Sequence, residues 1–380
     1  MIKVNEQCCG CGACVQKCPQ RCISMKETAD GFDYPDVDAA RCISCGLCED
    51  VCPLNMLKSA ECADESVYIG YSNREEERKR SSSGGVFSLL AEKVLQQDGL
   101  VFGAAFDDSF EVCHIGITNP EQLDALRRSK YVQSRIGETY QEAQNALEAG
   151  RMVLFSGTPC QIAGLKSFLG RDYPTLYTID LICHGAPSPR VWKKYKEELR
   201  AHYASPIRAI SFRNKDTGWK EFSVCFEFEN GEKYASQLWS DPYMRIFLEN
   251  ICLRHSCYNC TFKGQRYYSD LTLGDAWGIG KKYPLKDDDK GTSAVVAHTS
   301  QGRTLLTLIE GQWNGEVLTY DFAAENIAYL KPVAEHPRKK EFIRKLNSAA
   351  GVEELAALTK LRLIDKVIRK IKRAKQKILP

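Results

Sequence analysis

Two runs of cysteines near the start of the chain have the spacing of iron–sulfur ligands. Each run reads Cys-x-x-Cys-x-x-Cys-x-x-x-Cys-Pro, and the ligand positions are Cys8, Cys11, Cys14 and Cys18, then Cys42, Cys45, Cys48 and Cys52. In such runs three closely spaced thiolates hold one cube, and the fourth cysteine crosses to the other cube. The sequence therefore predicts two [4Fe–4S] clusters, one held by Cys8, Cys11, Cys14 and Cys52, and one by Cys42, Cys45, Cys48 and Cys18.

The segment between the two runs completes a small ferredoxin domain, which we assign to residues 1–58. Residues 23–25 and 34–37 flank Asp30-Gly31, and this pattern predicts a short hairpin that covers the clusters. A pair of structural zinc sites is the alternative, but zinc ribbons do not need this four-cysteine run duplicated. Cys9 and Cys22 fall outside the register, and we predict that they are not ligands.

Four cysteines in the middle of the chain form a second candidate set. They comprise two single residues and one Cys-x-x-Cys pair, namely Cys160, Cys183, Cys257 and Cys260. The pair supplies half of a four-thiolate site, and two single cysteines on separate loops can complete it. We predict that these four residues hold an iron–sulfur cluster against a bound flavin.

The elements around the two single cysteines have to bring them together. Residues 152–155 and 177–182 are apolar runs that predict buried strands, and a cysteine follows each of them. Thr158 and Pro159 suit the cap and the first position of a helix. We therefore expect Cys160 at a helix N-terminus, where its thiolate would be stabilised.

Other readings of these cysteines remain open. The spacing of Cys252, Cys257 and Cys260 also fits a plant-type [2Fe–2S] site, and four thiolates can hold a structural zinc. A nucleophile–base pair at Cys183-His184 is disfavoured, because adjacent side chains at a strand end diverge and no third orienting group is evident. The cysteines without an assigned role are interpreted as small buried hydrophobes: Cys62, Cys113, Cys225 and Cys252.

Two further segments have residue types that could bind a cofactor. Residues 81–85 are small and precede a predicted helix, whose exposed amides could receive a phosphate. Residues 127–134 combine cations, an aromatic ring and hydroxyls, which suit a phosphate or a flavin ring; a flexible loop and an ordinary turn are the alternatives. Neither segment is a Walker A loop or a Gly-x-Gly-x-x-Gly motif, so ATP and a Rossmann dinucleotide are not indicated.

Six segments in order resemble the coenzyme F(420) hydrogenase/dehydrogenase beta-subunit family, over about residues 66–345. They are Ser83-Gly84-Gly85, Ser129-Lys130-Tyr131-Val132, Thr158-Pro159-Cys160-Gln161, Cys183-His184-Gly185, Cys257-x-x-Cys260 and Gly274-Asp275-x-Trp277-Gly278. The resemblance implies bound FAD, a [4Fe–4S] cluster on the four central cysteines, and FAD contacts at Ser83, Gly84, Gly85, Lys130 and Tyr131. We add Ser134, Thr158 and Pro159 as candidate cofactor contacts. For Asp275, proton donation near the flavin and a turn or cap role both remain open.

The composition places these motifs in a protein without an evident membrane span. The 380 residues are 43% hydrophobic and 27% charged, as in globular proteins, and no stretch approaches eighteen apolar residues. The start of the chain lacks the apolar core of a secretory signal, so we expect a cytoplasmic protein whose thiols are ligands rather than disulfides. A net charge of +3 and an acidic body make nucleic acid a poor candidate partner.

We predict an α+β protein in which the small 2[4Fe–4S] ferredoxin-like domain precedes a mixed α/β core that binds flavin and a cluster. The core is divided into residues 66–150 and 151–330, and residues 331–380 form a basic helical tail. Apolar residues recur at helical spacing in 360–380, so this tail could touch an anionic membrane surface; we favour packing on its own domain or a partner.

The predicted function is electron transfer by an iron–sulfur flavoprotein oxidoreductase. Clusters carry single electrons and a flavin exchanges two, so the pair connects one-electron and hydride chemistry. The external carrier would be a ferredoxin or a deazaflavin, and the substrate is not specified by the fold. The alternatives are a non-catalytic relay subunit beside a partner redox subunit, and a zinc-bound structural protein without flavin.

Overall fold

A computed structural model describes residues 2, 4–55, 65–264, 267–318, 321 and 326–361. The strands are β1 Ile23–Glu27, β2 Asp33–Val37, β3 Ser66–Gly70, β4 Leu100–Phe106, β5 Val112–Ile117, β6 Val153–Gly157, β7 Leu176–Leu181, β8 Ile207–Asn214, β9 Ser223–Phe228, β10 Lys233–Gln237, β11 Leu271–Asp275, β12 Ser293–Ala297 and β13 Glu316–Val317. The α-helices in the first half are α1 Ala13–Lys17, α2 Leu47–Asp50, α3 Glu75–Arg80, α4 Val86–Gln96, α5 Leu123–Leu126, α6 Thr139–Glu148 and α7 Pro159–Leu169. Those in the second half are α8 Pro189–Tyr203, α9 Pro242–Leu248, α10 Ile279–Lys282, α11 Ser300–Thr307, α12 Ile327–Leu330, α13 Lys339–Leu346 and α14 Val352–Ala357, and 3-10 turns occupy Pro120–Gln122, His255–Asn259 and Pro284–Lys286.

The N-terminal module, residues 4–55, has the predicted ferredoxin-like layout. Strands β1 and β2 pair antiparallel from Ile23↔Val37 to Glu27↔Asp33, which confirms the expected hairpin. Helices α1 and α2 each begin directly after a glycine with a left-handed backbone, Gly12 at φ 75° and Gly46 at φ 80°. This conformation is open to glycine at little cost, so each cysteine run can turn into its helix without strain.

One eight-stranded sheet forms the core, in the order β13-β3-β12-β11-β7-β6-β4-β5. Its central strands β11, β7, β6 and β4 are parallel neighbours, while β5, β12, β3 and β13 pair antiparallel at the two sides. The parts predicted as residues 66–150 and 151–330 both contribute strands to this sheet. The loops that follow β6 and β7 lie at its carboxyl edge, where sites gather in α/β folds.

A smaller antiparallel sheet, β10-β9-β8, packs with α8 and α9 around an aromatic core. The turn at Asn230-Gly231 joins β9 to β10. Trp192, Phe212 and Tyr243 lie at the centre of this core and are fully buried. The mixed α/β fold class is therefore confirmed, with the second sheet as a separate layer beside the first.

The charged segment 74–80 differs from expectation. A run of charged residues is normally exposed to solvent, but α3 buries Glu77 and Arg78. Glu77 accepts two hydrogen bonds from Arg127, and Arg78 donates to both carboxylate oxygens of Asp288. The tertiary ion pairs explain why charged side chains can be buried here.

Two expectations fall outside the described residues. These are the basic helix from residue 362 onwards and the buried position of Cys62. Within the ranges that the structure does describe, no helix is both long enough and apolar enough to span a bilayer.

Candidate iron–sulfur centres and cofactor site

The fold brings the four central cysteines together at the carboxyl edge of the main sheet. Cys160 lies in the first turn of α7 after β6, and Cys183 follows the end of β7. Cys257 lies in the 3-10 turn at residues 255–259, and Cys260 directly follows that turn. The thiol of Cys183 interacts electrostatically with the other three. The four residues thus converge from three separate parts of the chain.

Burial keeps these sulfurs protonated unless a cation replaces the protons. It raises the pKa of Cys257 and of Cys260 to about 11, and it raises the pKa of Cys183 strongly. Thiolate is the form that binds metal, so a cationic cluster would have to displace these protons. The amide of Ala186 donates to Cys257 Sγ over 3.3 Å, which is the type of bond that orients and tunes a ligand sulfur.

The expectation of a stabilised Cys160 thiolate is wrong. Contact with the Cys9 thiol is the largest cause that raises the pKa of Cys160, and burial adds to it. The helix start itself is as predicted: α7 begins at Pro159, and Gln161 Oε1 accepts a 2.9 Å bond from the Thr158 amide. The hydroxyl of Thr158 lies 3.2 Å from Cys160 Sγ, which places Thr158 against the sulfur.

Most of the N-terminal cysteines lie near other members of their predicted ligand set. Burial, followed by interaction with Cys8 and Cys52, raises the pKa of Cys14 to about 12. The second set lines one pocket, together with Cys22 and Ile43: Cys18, Cys42, Cys45 and Cys48. Cys22 Sγ lies 3.4 Å from Cys18 Sγ. Cys22 therefore lies beside the second set although its register excluded it as a ligand.

A single metal ion is the alternative to a cube at these cysteines. Across the ranges that the structure describes, no group of three or more Cys, His, Asp or Glu side chains could hold a single metal ion. Zinc draws four sulfurs to about 2.3 Å from one centre, whereas the ligands of a cube bind different irons. The duplicated four-cysteine run is the reason to assign cubes rather than zinc to the N-terminal sets.

The N-terminal module packs against α7, the helix that starts beside Cys160. Lys17 Nζ donates to Phe168 O over 3.0 Å, and Ser167 Oγ donates to Val51 O over 2.7 Å. A Cβ at Gly164 would lie only 2.9 Å from Cys11 Cβ, so glycine permits this close approach. The first cysteine set therefore lies next to the central set.

Cys9 occupies the gap between these two sets. Its thiol is within hydrogen-bonding contact of both Cys11 and Cys160. The sequence offered no sign of this position, because Cys9 is off the ligand register. Cys113 and Cys225 are half-buried, and Cys252 is buried in the aromatic core, in line with a packing role.

The Ser83-Gly84-Gly85 segment leads into α4, as expected for a phosphate site. Ser83 Oγ donates to Thr292 O over 3.0 Å, and the amide of Gly84 donates to Ser293 Oγ over 2.9 Å. Gly85 has φ 90°, and no side chain caps the helix that follows. An uncapped helix start leaves amides that an anionic group can bind.

Three other candidate contacts already have partners within the protein. Lys130 Nζ donates to two backbone carbonyls, of Ala125 and Arg127, over 2.7 and 2.6 Å. Ser134 Oγ is 2.7 Å from His114 Nδ1. The ring of Tyr131 stacks against Phe247 at 5.2 Å. Contacts of Lys130 or Ser134 with a cofactor would have to replace or share these bonds.

A buried arginine that the sequence did not reveal lies beside the Gly274–Gly278 segment. Arg213 Nη1 donates to Asp275 Oδ2 over 2.7 Å, and Trp219 Nε1 donates to Asp275 Oδ1 over 3.1 Å. Trp219 also stacks on Trp277 at 4.4 Å. Asp275 is thus the partner of a buried cation. No local spacing could have linked it to Arg213, which lies 62 positions away.

Two nitrogens of Arg213 remain available. The side chain is 4% exposed, and Nε and Nη2 have no partner that meets hydrogen-bond geometry within the described part of the chain. Tyr131 lies close enough to this guanidinium to interact with it through a side-chain hydrogen bond as well as by charge. Buried donors normally have partners, so the donor capacity that Tyr131 leaves over suits a ligand.

Comparison with known proteins gives two family matches. Residues 7–56 match the 4Fe-4S dicluster domain, and residues 150–317 match the C terminus of the coenzyme F420 hydrogenase/dehydrogenase beta subunit. No curated protein matches the chain. Among solved structures, it is similar to one titled as a xenon derivatization of the F420-reducing [NiFe] hydrogenase complex from Methanosarcina barkeri, with 17% identity, a TM-score of 0.47, and coverage of 74% of this chain and 90% of that chain. The chain thus combines a match to a 4Fe–4S dicluster domain with a following match to the C terminus of the coenzyme F420 hydrogenase/dehydrogenase beta subunit.

Proposed function

We propose that this chain is an iron–sulfur flavoprotein oxidoreductase that passes electrons between its N-terminal clusters and FAD through a third cluster. The observation that carries the proposal is the convergence of Cys160, Cys183, Cys257 and Cys260 beside Cys11 of the N-terminal module. Electrons entering the module would reach the central cysteines across the Cys9 contact. The abundance of thiols fits a reducing, cytoplasmic location.

The residues around Arg213 fit FAD. The uncapped start of α4 offers amides for a phosphate, and the donor capacity of Arg213 that its partners leave over suits the electronegative edge of a flavin ring. Trp277, whose ring stacks on the buried Trp219, provides an aromatic face nearby. When bound, FAD would exchange a hydride for two single electrons.

The chain's own residues would orient the cofactor and exclude water. Asp275 holds the Arg213 guanidinium in place through a 2.7 Å bond, so its unpartnered nitrogens keep a fixed direction. Lys215 Nζ donates to Ser83 O over 2.8 Å and to Lys290 O over 2.9 Å, which fixes the loop before α4. Burial, followed by the nearby charge of Arg213, lowers the pKa of Lys215 to about 7.

The external electron carrier is proposed to meet the second N-terminal cluster. Cys45 is exposed, and the neighbouring Ile43 is 60% exposed at the rim of the same pocket. An apolar rim beside an exposed ligand suits brief contact with a ferredoxin or a partner redox subunit. The flavin end would then reduce an organic substrate or exchange electrons with a deazaflavin.

A relay subunit is the second candidate, and the exposed Ile43 favours it because such a residue can also belong to a permanent interface. In that case FAD would serve the partner. The isolated chain, reduced chemically, would then pass no electrons to a deazaflavin. Rapid oxidation of the reduced, isolated chain by a deazaflavin would instead support the proposal that the chain itself is an oxidoreductase.

Iron analysis of one variant tests the central cluster. Anaerobically purified protein should contain about twelve irons, as expected for three cubes, and one FAD. Cys257→Ala should lower the iron content to about eight, because one ligand of the central set is lost. Cys225→Ala, at a half-buried cysteine outside all three sets, is the matched control and should keep twelve. Unchanged iron in Cys257→Ala would refute the third cluster.

A further inference from the structure

Arg254 is a buried cation at the junction between the N-terminal module and the core. It lies three residues before Cys257 and is 1% exposed. Its guanidinium lies 4.0 Å from the ring centre of Tyr34 and 5.4 Å from that of Phe32, both in the module. The side chain therefore crosses from the core into the module and is covered there by aromatic rings.

Three hydrogen bonds of Arg254 end on neutral oxygens. Nε donates to Cys8 O over 2.7 Å, and Nη2 donates to Asp33 O over 2.9 Å. Nη1 donates to Gln133 Oε1 over 3.0 Å. In addition, Nη2 lies 3.9 Å from Cys8 Sγ. No carboxylate of the described residues accepts a bond from this guanidinium, although such pairing is usual for a buried charge.

The Asp33 carboxylate interacts with Arg254 electrostatically without accepting a hydrogen bond from it, and the sulfurs of two centres can supply further negative charge. Arg254 lies beside Cys8, a predicted ligand of the first cluster, and interacts electrostatically with Cys160 of the central set. Tyr34, which stacks on the guanidinium, interacts with both Cys8 and Cys257. Arg254 thus faces thiolates of both sets.

The surrounding backbone fixes this position tightly. Gln133, which accepts from Arg254, also donates from Nε2 to Cys9 O over 3.0 Å. A Cβ at Gly10 would lie 2.8 Å from Gln133 Nε2 and 2.9 Å from Arg254 Nη1, at φ +72°. Only a glycine lets the segment of residues 8–10 approach the guanidinium this closely.

We propose that Arg254 is the shared counter-cation of the first N-terminal cluster and the central cluster, and that it raises their reduction potentials. An added electron makes a cluster more negative, and a fixed positive charge nearby stabilises that reduced form. The effect is larger at the first cluster, because Nη2 lies against Cys8 Sγ. This inference rests on the proposed electron route and adds a residue that sets its driving force.

The test is a redox titration of the anaerobic full-length protein, in which electron paramagnetic resonance reports the reduced fraction of each cluster. Arg254→Gln removes the charge and keeps a hydrogen-bonding side chain. We expect at least a tenfold shift of the reduction equilibrium of the first cluster toward the oxidised form, which is 59 mV for one electron. The second N-terminal cluster, held by Cys18, Cys42, Cys45 and Cys48, is an internal reference and should not shift.

Arg190→Gln is the matched control for docking of the module. Arg190 also joins core and module, with Nε donating to Glu27 over 2.6 Å and Nη2 to Thr28 O over 3.0 Å. None of its hydrogen bonds involves a predicted ligand, so its loss should leave all potentials unchanged. An equal shift in Arg190→Gln would assign the effect to docking and overturn the proposal.

Arg254→Lys separates charge from geometry. It keeps the positive charge but loses the planar fork of donors, so the first cluster should stay near its wild-type potential. If Arg254→Gln cannot hold the first cluster, Arg254→Lys should hold it; loss in both variants would mean a purely geometric role and overturn the proposal. An unshifted Arg254→Gln with full iron would also overturn it. A wild-type protein without the central cluster would instead refute the proposed function, independently of either variant.

Discussion

Replacing Gly164 with alanine tests how closely the N-terminal module packs on α7. Gly164 is inside the helix, where alanine normally stabilises by about 1 kcal/mol. Here the added methyl would lie 2.9 Å from Cys11 Cβ and 2.9 Å from Tyr140 Oη, where ordinary contacts begin at 3.4 Å. Neither neighbour can yield easily, because Cys11 is a predicted ligand and Tyr140 is fully buried.

The magnitude follows from two opposing effects. Overpacking of a close-packed interior costs typically 1–3 kcal/mol. After subtraction of the gain in helix propensity, Gly164→Ala should lose up to about 2 kcal/mol. This loss should lower the midpoint of thermal unfolding by a few degrees, measured anaerobically by circular dichroism on the iron-loaded protein.

A second background identifies the contact that causes the loss. Tyr140→Phe removes the hydroxyl that lies near the added methyl, so Gly164→Ala should cost less in that background than in the wild type. The hydroxyl normally donates to Gln161 O over 2.8 Å, so the single Tyr140→Phe variant serves as the reference. If Gly164→Ala instead stabilises the protein by about 1 kcal/mol, helix propensity acts alone and the close docking is refuted.

Two other perturbations address buried charges. Glu77→Gln should cost about 2 kcal/mol in urea unfolding, because the Arg127 guanidinium, 6% exposed, loses its two-bond partner and keeps only the longer contacts to Glu92 at 3.5 Å and Asp124 at 3.8 Å. The control Asp98→Asn, at a carboxylate that is 93% exposed, should cost less than about 1 kcal/mol, and equal costs would contradict the argument. Burial lowers the pKa of His114 to about 4, below its unfolded value of 6.5, so the unfolded state binds more protons between these pH values. The free energy of unfolding should therefore fall by up to roughly 3 kcal/mol as the pH drops from 6.5 to 4, and His114→Gln should flatten this dependence; an unchanged slope in that variant would show that other groups cause it.

Local spacing was enough to predict the 4Fe–4S dicluster domain and several secondary-structure elements. The hairpin β1–β2 and the strands β6 and β7 carry their signal within a few neighbouring residues, and each lies close to where the pattern placed it. Thr158 and Pro159 likewise predicted where α7 begins. These features depend on backbone geometry and on ligand spacing, which the sequence records directly.

Long-range partners were not predictable in this way. Arg254 contacts Cys8 across 246 positions, and Arg213 contacts Asp275 across 62, so no periodicity connects them. Cys9 was excluded by its register, yet the fold places its thiol against Cys160. Glu77 lies in a charged run that suggested solvent exposure, and only its distant partner Arg127 makes burial possible.

Helix α7 carries Cys160 in its first turn and Gly164 one turn later, against Cys11. One turn of helix rises about 5.4 Å and hardly deforms. On the proposed electron route, the gap between module and core is thus set by a rigid helix rather than by loops. Insertions in loops elsewhere would then change the molecule that is oxidised or reduced without changing the length of this internal step.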